Sequence, residues 1–225
     1  MDNYERNFKL FDEEIENKLD KKTIQPIYII VDGAINAYRQ LIKDERDILS
    51  GEYFKEFRGR LLGYIIKRAF DPELISGNFP FRIDCKKMSF NQRRPELQKD
   101  NIILTLAKSI NSEELPSKSN YKLEYSKGNS FISRQMMFGG MDDFKVRDIP
   151  YYGIIRYEYS ENELKNLDII MPDADYKSII KRISIPKILK IENKDNLNTQ
   201  NNSAILDVEN LKYKITKEIE NKKVL

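Results

Sequence analysis

Apolar residues recur at steps of three and four over roughly the first third of the chain and at steps of two beyond it, so the period changes from helix to strand near Asn78. Tyr4, Phe8, Phe11, Ile15 and Leu19 form one stripe and predict a helix over 4–20. Pro26 falls where a first-turn proline is tolerated, and Ile27, Ile30, Val31, Ala34, Tyr38, Leu41 and Ile42 follow one face of a second helix. The run Ile27 to Val31 also fits a short buried strand. A third helix spans 51–70, with Phe54, Phe57, Leu61, Tyr64, Ile65 and Ala69 inward and Lys55, Arg58, Lys67 and Arg68 outward. Asp71-Pro72 ends it, because the residue before proline avoids helical geometry.

The second part of the chain carries short alternating runs between turn residues. FPFRIDC places Phe81, Ile83 and Cys85 on one face of a strand and Arg82, Asp84 and Lys86 on the other. Further strands are expected at 101–109, 121–126, 131–138 and 151–159, the last joined through SENE to 164–171 as a hairpin. Pro172-Asp173 opens a short helix to about Arg182, capped by Asp173, and 183–191 adds an edge strand, where its internal proline is tolerated. The expected fold class is therefore α+β: a helical N-terminal portion, a mainly antiparallel twisted sheet of about five strands, and a C-terminal helix. Residues 1–191 read as one domain, helical over 1–75 and sheet-rich over 76–191. Residues 192–203 carry almost no apolar side chains and read as a linker or mobile loop. Ile205, Val208, Leu211, Ile215 and Ile219 make 204–225 an amphipathic helix.

Composition narrows the chemistry. The chain of 225 residues contains no histidine and a single cysteine, Cys85. One sulfur and no imidazole exclude an intramolecular disulfide, a tetrahedral Cys/His zinc site and the histidine-dependent serine and cysteine nucleophiles. Cys85 reads as a buried small apolar residue. No apolar run reaches membrane-spanning length and the N-terminus is charged throughout, which points to a soluble cytoplasmic protein with no membrane partner. The net charge of +3 permits nucleic-acid binding without requiring it.

Three constellations carry candidate chemistry. Lys86, Lys87, Arg93 and Arg94 fall within KKMSFNQRRPEL, interleaved with Phe90 and Gln92. Arginine forks bind phosphate and an aromatic ring stacks on an unpaired base, so this segment reads as a loop contacting nucleic acid or an acidic protein partner. The competing reading pairs these arginines with Glu96 or Asp100 on a solvated surface. Asp71 followed by Asp84-Cys85-Lys86, with Glu56 upstream, resembles the acid, acid-x-Lys pattern of metal-dependent nucleases of the restriction-enzyme type. The resemblance covers about thirty residues and implies Asp71 and Asp84 as Mg²⁺ ligands and Lys86 as the group assisting the attacking water. That catalytic reading is the alternative; the favoured one is a binding or regulatory protein without a cofactor. Asp173, Asp175 and Lys177 repeat the acid-x-Lys pattern within one turn, where capping explains Asp173 better. Gly139-Gly140 lacks the lysine of a phosphate loop and reads as a bend. Tyr151, Tyr152, Tyr157 and Tyr159 put rings on both faces of their strand.

Overall fold

The computed structural model describes residues 3–88, 93–109, 111, 113–132, 149–160, 163–187 and 206–222. Four helices come first: α1 (Asn3–Lys18), α2 (Lys21–Asp44), the short α3 (Arg46–Leu49) and α4 (Glu52–Ala69). Phe11, Ile15 and Leu19 are buried as their spacing predicts. Asp20 caps α2, its carboxylate accepting the Thr23 N–H at 2.9 Å. The cap puts Pro26 inside α2 rather than in its first turn, and Ile27–Val31 is helical, not a strand. Asp71 ends α4 as expected and accepts the Glu73 N–H at the head of a 3₁₀ turn, Pro72–Leu74.

The sheet has six strands in chain order: β1 (Arg82–Lys87), β2 (Arg93–Lys99), β3 (Ile102–Lys108), β4 (Tyr151–Ser160), β5 (Glu163–Pro172) and β6 (Ile179–Ser184). Every neighbouring pair is antiparallel except β3 and β4, which run parallel. A parallel pair needs a crossover. Its described part contains α5 (Asn120–Ser126) and a 3₁₀ segment, Lys127–Ile132. After β6, α6 (Val208–Lys222) closes the described chain, and Leu206 just before it bridges to Ile75.

The register sorts the side chains into two layers. Leu97, Leu104, Leu106, Ile155, Tyr157, Leu167, Ile169 and Met171 share one cluster with the buried residues of α1, α2, α4 and α6. Tyr152, Ile154 and Ile170 point to the other face, where Leu115, Leu123, Tyr125 and Tyr176 cover them. Gly153 belongs to the first face at a close approach: a Cβ there would lie 2.6 Å from Leu104 Cδ2.

Several expectations are corrected. The segment 121–126 is helical, because Tyr121–Tyr125 and Lys122–Ser126 are i,i+4 pairs that meet on a helix: the two rings stack edge-on at 6.2 Å, and Ser126 donates to the Lys122 carbonyl at 2.6 Å. Residues 172–182 form a turn and then β6, not a helix. Asp173 does accept backbone and side-chain donors, from Lys177 N–H at 2.7 Å and Ser178 Oγ at 2.8 Å, but it caps a hairpin turn that Tyr176 closes with φ of 57°. The edge strand is displaced to 179–184, so Pro186 lies beyond it. Cys85 is exposed, not buried. The strand expected at 131–138 extends beyond the described residues, as do Gly139-Gly140 and the segment 192–203.

Candidate nucleic-acid interface

The segment expected to be a basic loop belongs largely to a hairpin in which Lys86 faces Arg94 and Lys87 faces Arg93. Phe90 and Gln92 lie outside the described residues. Lys86, Lys87 and Arg93 are exposed, whereas Arg94 is buried. Alternation places Lys87 and Arg93 on the helical face of the sheet. Continuing the Glu96–Thr105 register of β2 and β3 brings Arg93 level with Lys108, which projects from the same face and is also exposed. A Cβ on Gly59 of α4 would lie 3.7 Å from Lys108 Nζ. Of the cations Lys87, Arg93 and Lys108, Lys108 therefore approaches α4, at Gly59.

On α4 the apolar residues are too many for one face. Phe54, Leu61, Leu62, Ile65, Ile66 and Ala69 are buried and together take up the core side. At about 100° per residue, Tyr53, Phe57, Arg60, Tyr64 and Lys67 fall on the opposite side. Tyr53 is 94 % exposed, Phe57 51 % and Tyr64 37 %, with Arg60 and Lys67 exposed between them. This corrects the expected inward positions of Phe57 and Tyr64: Leu62 and Ile66 take the core instead. The helix carries five cations (Lys55, Arg58, Arg60, Lys67, Arg68) against two acids (Glu52, Glu56), an excess of three that equals the net charge of the whole chain. Sequence reasoning missed this stripe. The signal available was the pairs Leu61-Leu62 and Ile65-Ile66, which already fill a core face without the aromatics.

Arg94 has a structural partner instead. Its Nη2 donates to Glu96 Oε1 at 2.6 Å, and its guanidinium lies over the Tyr121 ring at 3.5 Å. Tyr125 donates to the same carboxylate oxygen at 2.8 Å. Arg94 is thus removed from the contact set expected for it. Beside it, Lys122 is 6 % exposed and donates to the Ser117 carbonyl at 2.6 Å. Burial, and then the nearby Arg94, lower its pKa from 10.5 to about 8. An unfolded lysine holds its proton to about pH 10.5, so between pH 8 and 10.5 the unfolded chain binds more protons and stability rises with pH. The unfavourable contribution of the Lys122 ammonium is fully present below pH 8, and its relief amounts to up to about 3 kcal/mol. Tyr152 and Tyr176 act oppositely: burial raises both, so the unfolded chain ionises first, from about pH 10, and stability falls. Urea unfolding between pH 7 and 11 should show a maximum near pH 10, and Lys122→Met should abolish the rise from pH 8.

The residues of the nuclease pattern lie apart in the architecture. Asp71 ends α4, in the helical layer, ion-paired with Arg68 and capping the 3₁₀ turn. Asp84 and Lys86 project from the other face of β1, and Asp84 pairs with Arg82 at 3.2 Å and accepts from Gln98 Nε2 at 3.1 Å. Glu56 is exposed on α4. No group of three or more acidic, cysteine or histidine residues suited to a metal ion occurs among the described residues, and no helix among them is long and apolar enough to cross a membrane. No family model, no curated protein and no solved structure matches the chain.

Proposed function

We propose that the protein is a nucleic-acid-binding protein whose target is single-stranded. The observation that carries this reading is the outward stripe of α4, in which Tyr53, Phe57 and Tyr64 alternate with Arg60 and Lys67, and the sheet adds the exposed cations Lys87, Arg93 and Lys108. Exposed rings are costly to leave in water and offer stacking platforms to unpaired bases, while the cations track the phosphates. A duplex hides its base faces, so the rings favour a single strand.

Fluorescence anisotropy with labelled uridine and thymidine 20-mers, against a duplex control, tests this over a series of salt concentrations. Tyr53→Ala with Phe57→Ala should weaken single-strand binding tenfold or more, since stacking contributes about 1–3 kcal/mol per base. Lys87→Ala with Arg93→Ala should reduce the slope of log K against log salt by about 1.4, the value for two phosphate contacts on a single strand. Absence of binding at low salt, or affinity unchanged in both double variants, would remove the reading.

A further inference from the structure

The first half of α4 stands clear of the sheet: every residue over 55–60 is exposed. Arg58 nevertheless belongs to the core-facing row, one turn after Phe54 and one turn before Leu61 and Leu62, all three buried. Its Cζ lies 5.6 Å from the centre of the Phe54 ring. A cation thus occupies an inward position that water still reaches, where the helical period calls for an apolar side chain.

Arg58 faces the end of the sheet at which β3 and β4 finish. There Tyr159 meets Tyr38 of α2 edge-on, with ring centres 6.2 Å apart. Burial pushes the Tyr159 hydroxyl up, while Arg39, hydrogen-bonded to it, and Arg58 pull it down. Burial and then Tyr159 raise Tyr38, and Arg58 again lowers it. Among the described residues no carboxylate contributes at either hydroxyl. Arg39 donates from Nη1 to Asn36 Oδ1 at 3.2 Å, and its Nε is buried without an acceptor. Lys108 is level with Tyr157 on the neighbouring strand and so projects from the same face as that ring. Its Nζ lies 3.7 Å from where a Cβ on Gly59, the residue after Arg58, would stand. Among the described residues Arg39, Arg58 and Lys108 form no ion pair, and Glu56, one turn before Gly59, pairs with none of them. Glu163, at the start of β5, is matched by Lys165 at 3.8 Å.

We infer that Arg39, Arg58 and Lys108 form a binding site for a phosphate monoester, with the Tyr159 hydroxyl as a further hydrogen-bonding group. Two guanidinium forks and an ammonium suit a dianion with three free oxygens, whereas the single charge of a phosphodiester leaves cations uncompensated. The site goes beyond the single-strand reading: it shares Lys108 with that reading but requires neither bases nor stacking.

The test is calorimetric titration of the full-length protein with glycerol 3-phosphate and with its methyl ester, at pH 7.5 and constant ionic strength. A monoester whose second pKa is about 6 is dianionic there, and the methyl ester carries one charge. Glycerol 3-phosphate should bind saturably, and the methyl ester at least tenfold more weakly. Arg58→Gln, at an exposed position, should weaken glycerol 3-phosphate at least tenfold with circular dichroism unchanged, whereas Lys9→Gln, exposed on α1, should not alter it. Thymidine 20-mers with and without a 5′-phosphate distinguish the source. Preference for the phosphorylated strand assigns the monoester to a strand end, and equal affinity with glycerol 3-phosphate still bound assigns it to a small ligand. Equal affinity for the methyl ester would overturn the site. So would unchanged affinity in Arg58→Gln, or no saturable binding of glycerol 3-phosphate at millimolar concentration. Retained 20-mer binding in that last case would remove this site and leave the single-strand reading standing. Because the two esters are compared on the unaltered protein, the outcome does not depend on a variant folding.

Discussion

Arg94→Ala is expected to destabilise the protein by about 3–5 kcal/mol, measured by urea unfolding, because it leaves a buried carboxylate without its counter-charge. Glu96 is fully buried, and its Oε2 already has no hydrogen-bond partner among the described residues. Removing Arg94 takes the 2.6 Å bond from Oε1 and leaves only the Tyr125 hydroxyl. It also strips the cation from the Tyr121 ring, by which α5 is held against the sheet, a contribution of about 0.5–2 kcal/mol. Arg94→Met with Glu96→Leu should recover most of the loss, since a buried ion pair is replaced by apolar packing at little cost. The neighbouring Arg93→Ala should change stability by no more than about 0.5 kcal/mol, as an exposed residue. A stability loss in Arg93→Ala matching that of Arg94→Ala would contradict the division of roles between them. Adjacent arginines thus separate: one holds α5, and the other is exposed.

The elements legible in the sequence are those whose period admits one solution. Long amphipathic stripes gave α1, α2 and α4, and the β4–β5 hairpin follows from two β-rich runs around a polar turn. The failures come where two periods coincide or the deciding contact is distant. In Tyr121–Ser126 alternation suits a strand, but the i,i+4 ring pair and the Arg94 guanidinium above Tyr121 hold it as a helix. Strand β2 was hidden because RRPELQK carries Pro95 and four charged residues, yet β1 and β3 flank it, and its pairing with β3 begins only at Glu96, past the proline. Of the candidate site, Lys86, Lys87 and Arg93 are exposed, whereas Arg94 is buried. The α4 stripe was not legible, because a helical period identifies a face as apolar without saying which of two apolar faces is the core.

Arg156 and Asp168 should prove the most tightly coupled pair in the protein. They stand directly opposite one another in the β4–β5 hairpin, each 1 % exposed, and meet through two hydrogen bonds, Nε to Oδ1 at 2.9 Å and Nη2 to Oδ2 at 2.5 Å. The remaining Nη1 donates to the Glu114 carbonyl at 2.9 Å, so the same guanidinium ties the crossover to the sheet. Arg156→Met is expected to cost about 3–5 kcal/mol, because Arg182 Nε, 3.7 Å from Asp168, is too distant for a hydrogen bond that would replace those lost. Asp168→Leu should cost a similar amount by leaving a guanidinium in the same apolar surroundings, with only the Glu114 carbonyl to receive it. Breaking either partner already forfeits the pair, so the double variant should be far less destabilised than the sum, with a coupling energy of about 2 kcal/mol or more in a double-mutant cycle. Additive losses would show that each group is held independently by its other neighbours. Hydrogen exchange separates the two functions of Arg156: its loss should speed exchange near Glu114 and in α5, whereas Asp168→Leu, which spares the Glu114 bond, should leave that segment protected relative to the rest of the sheet.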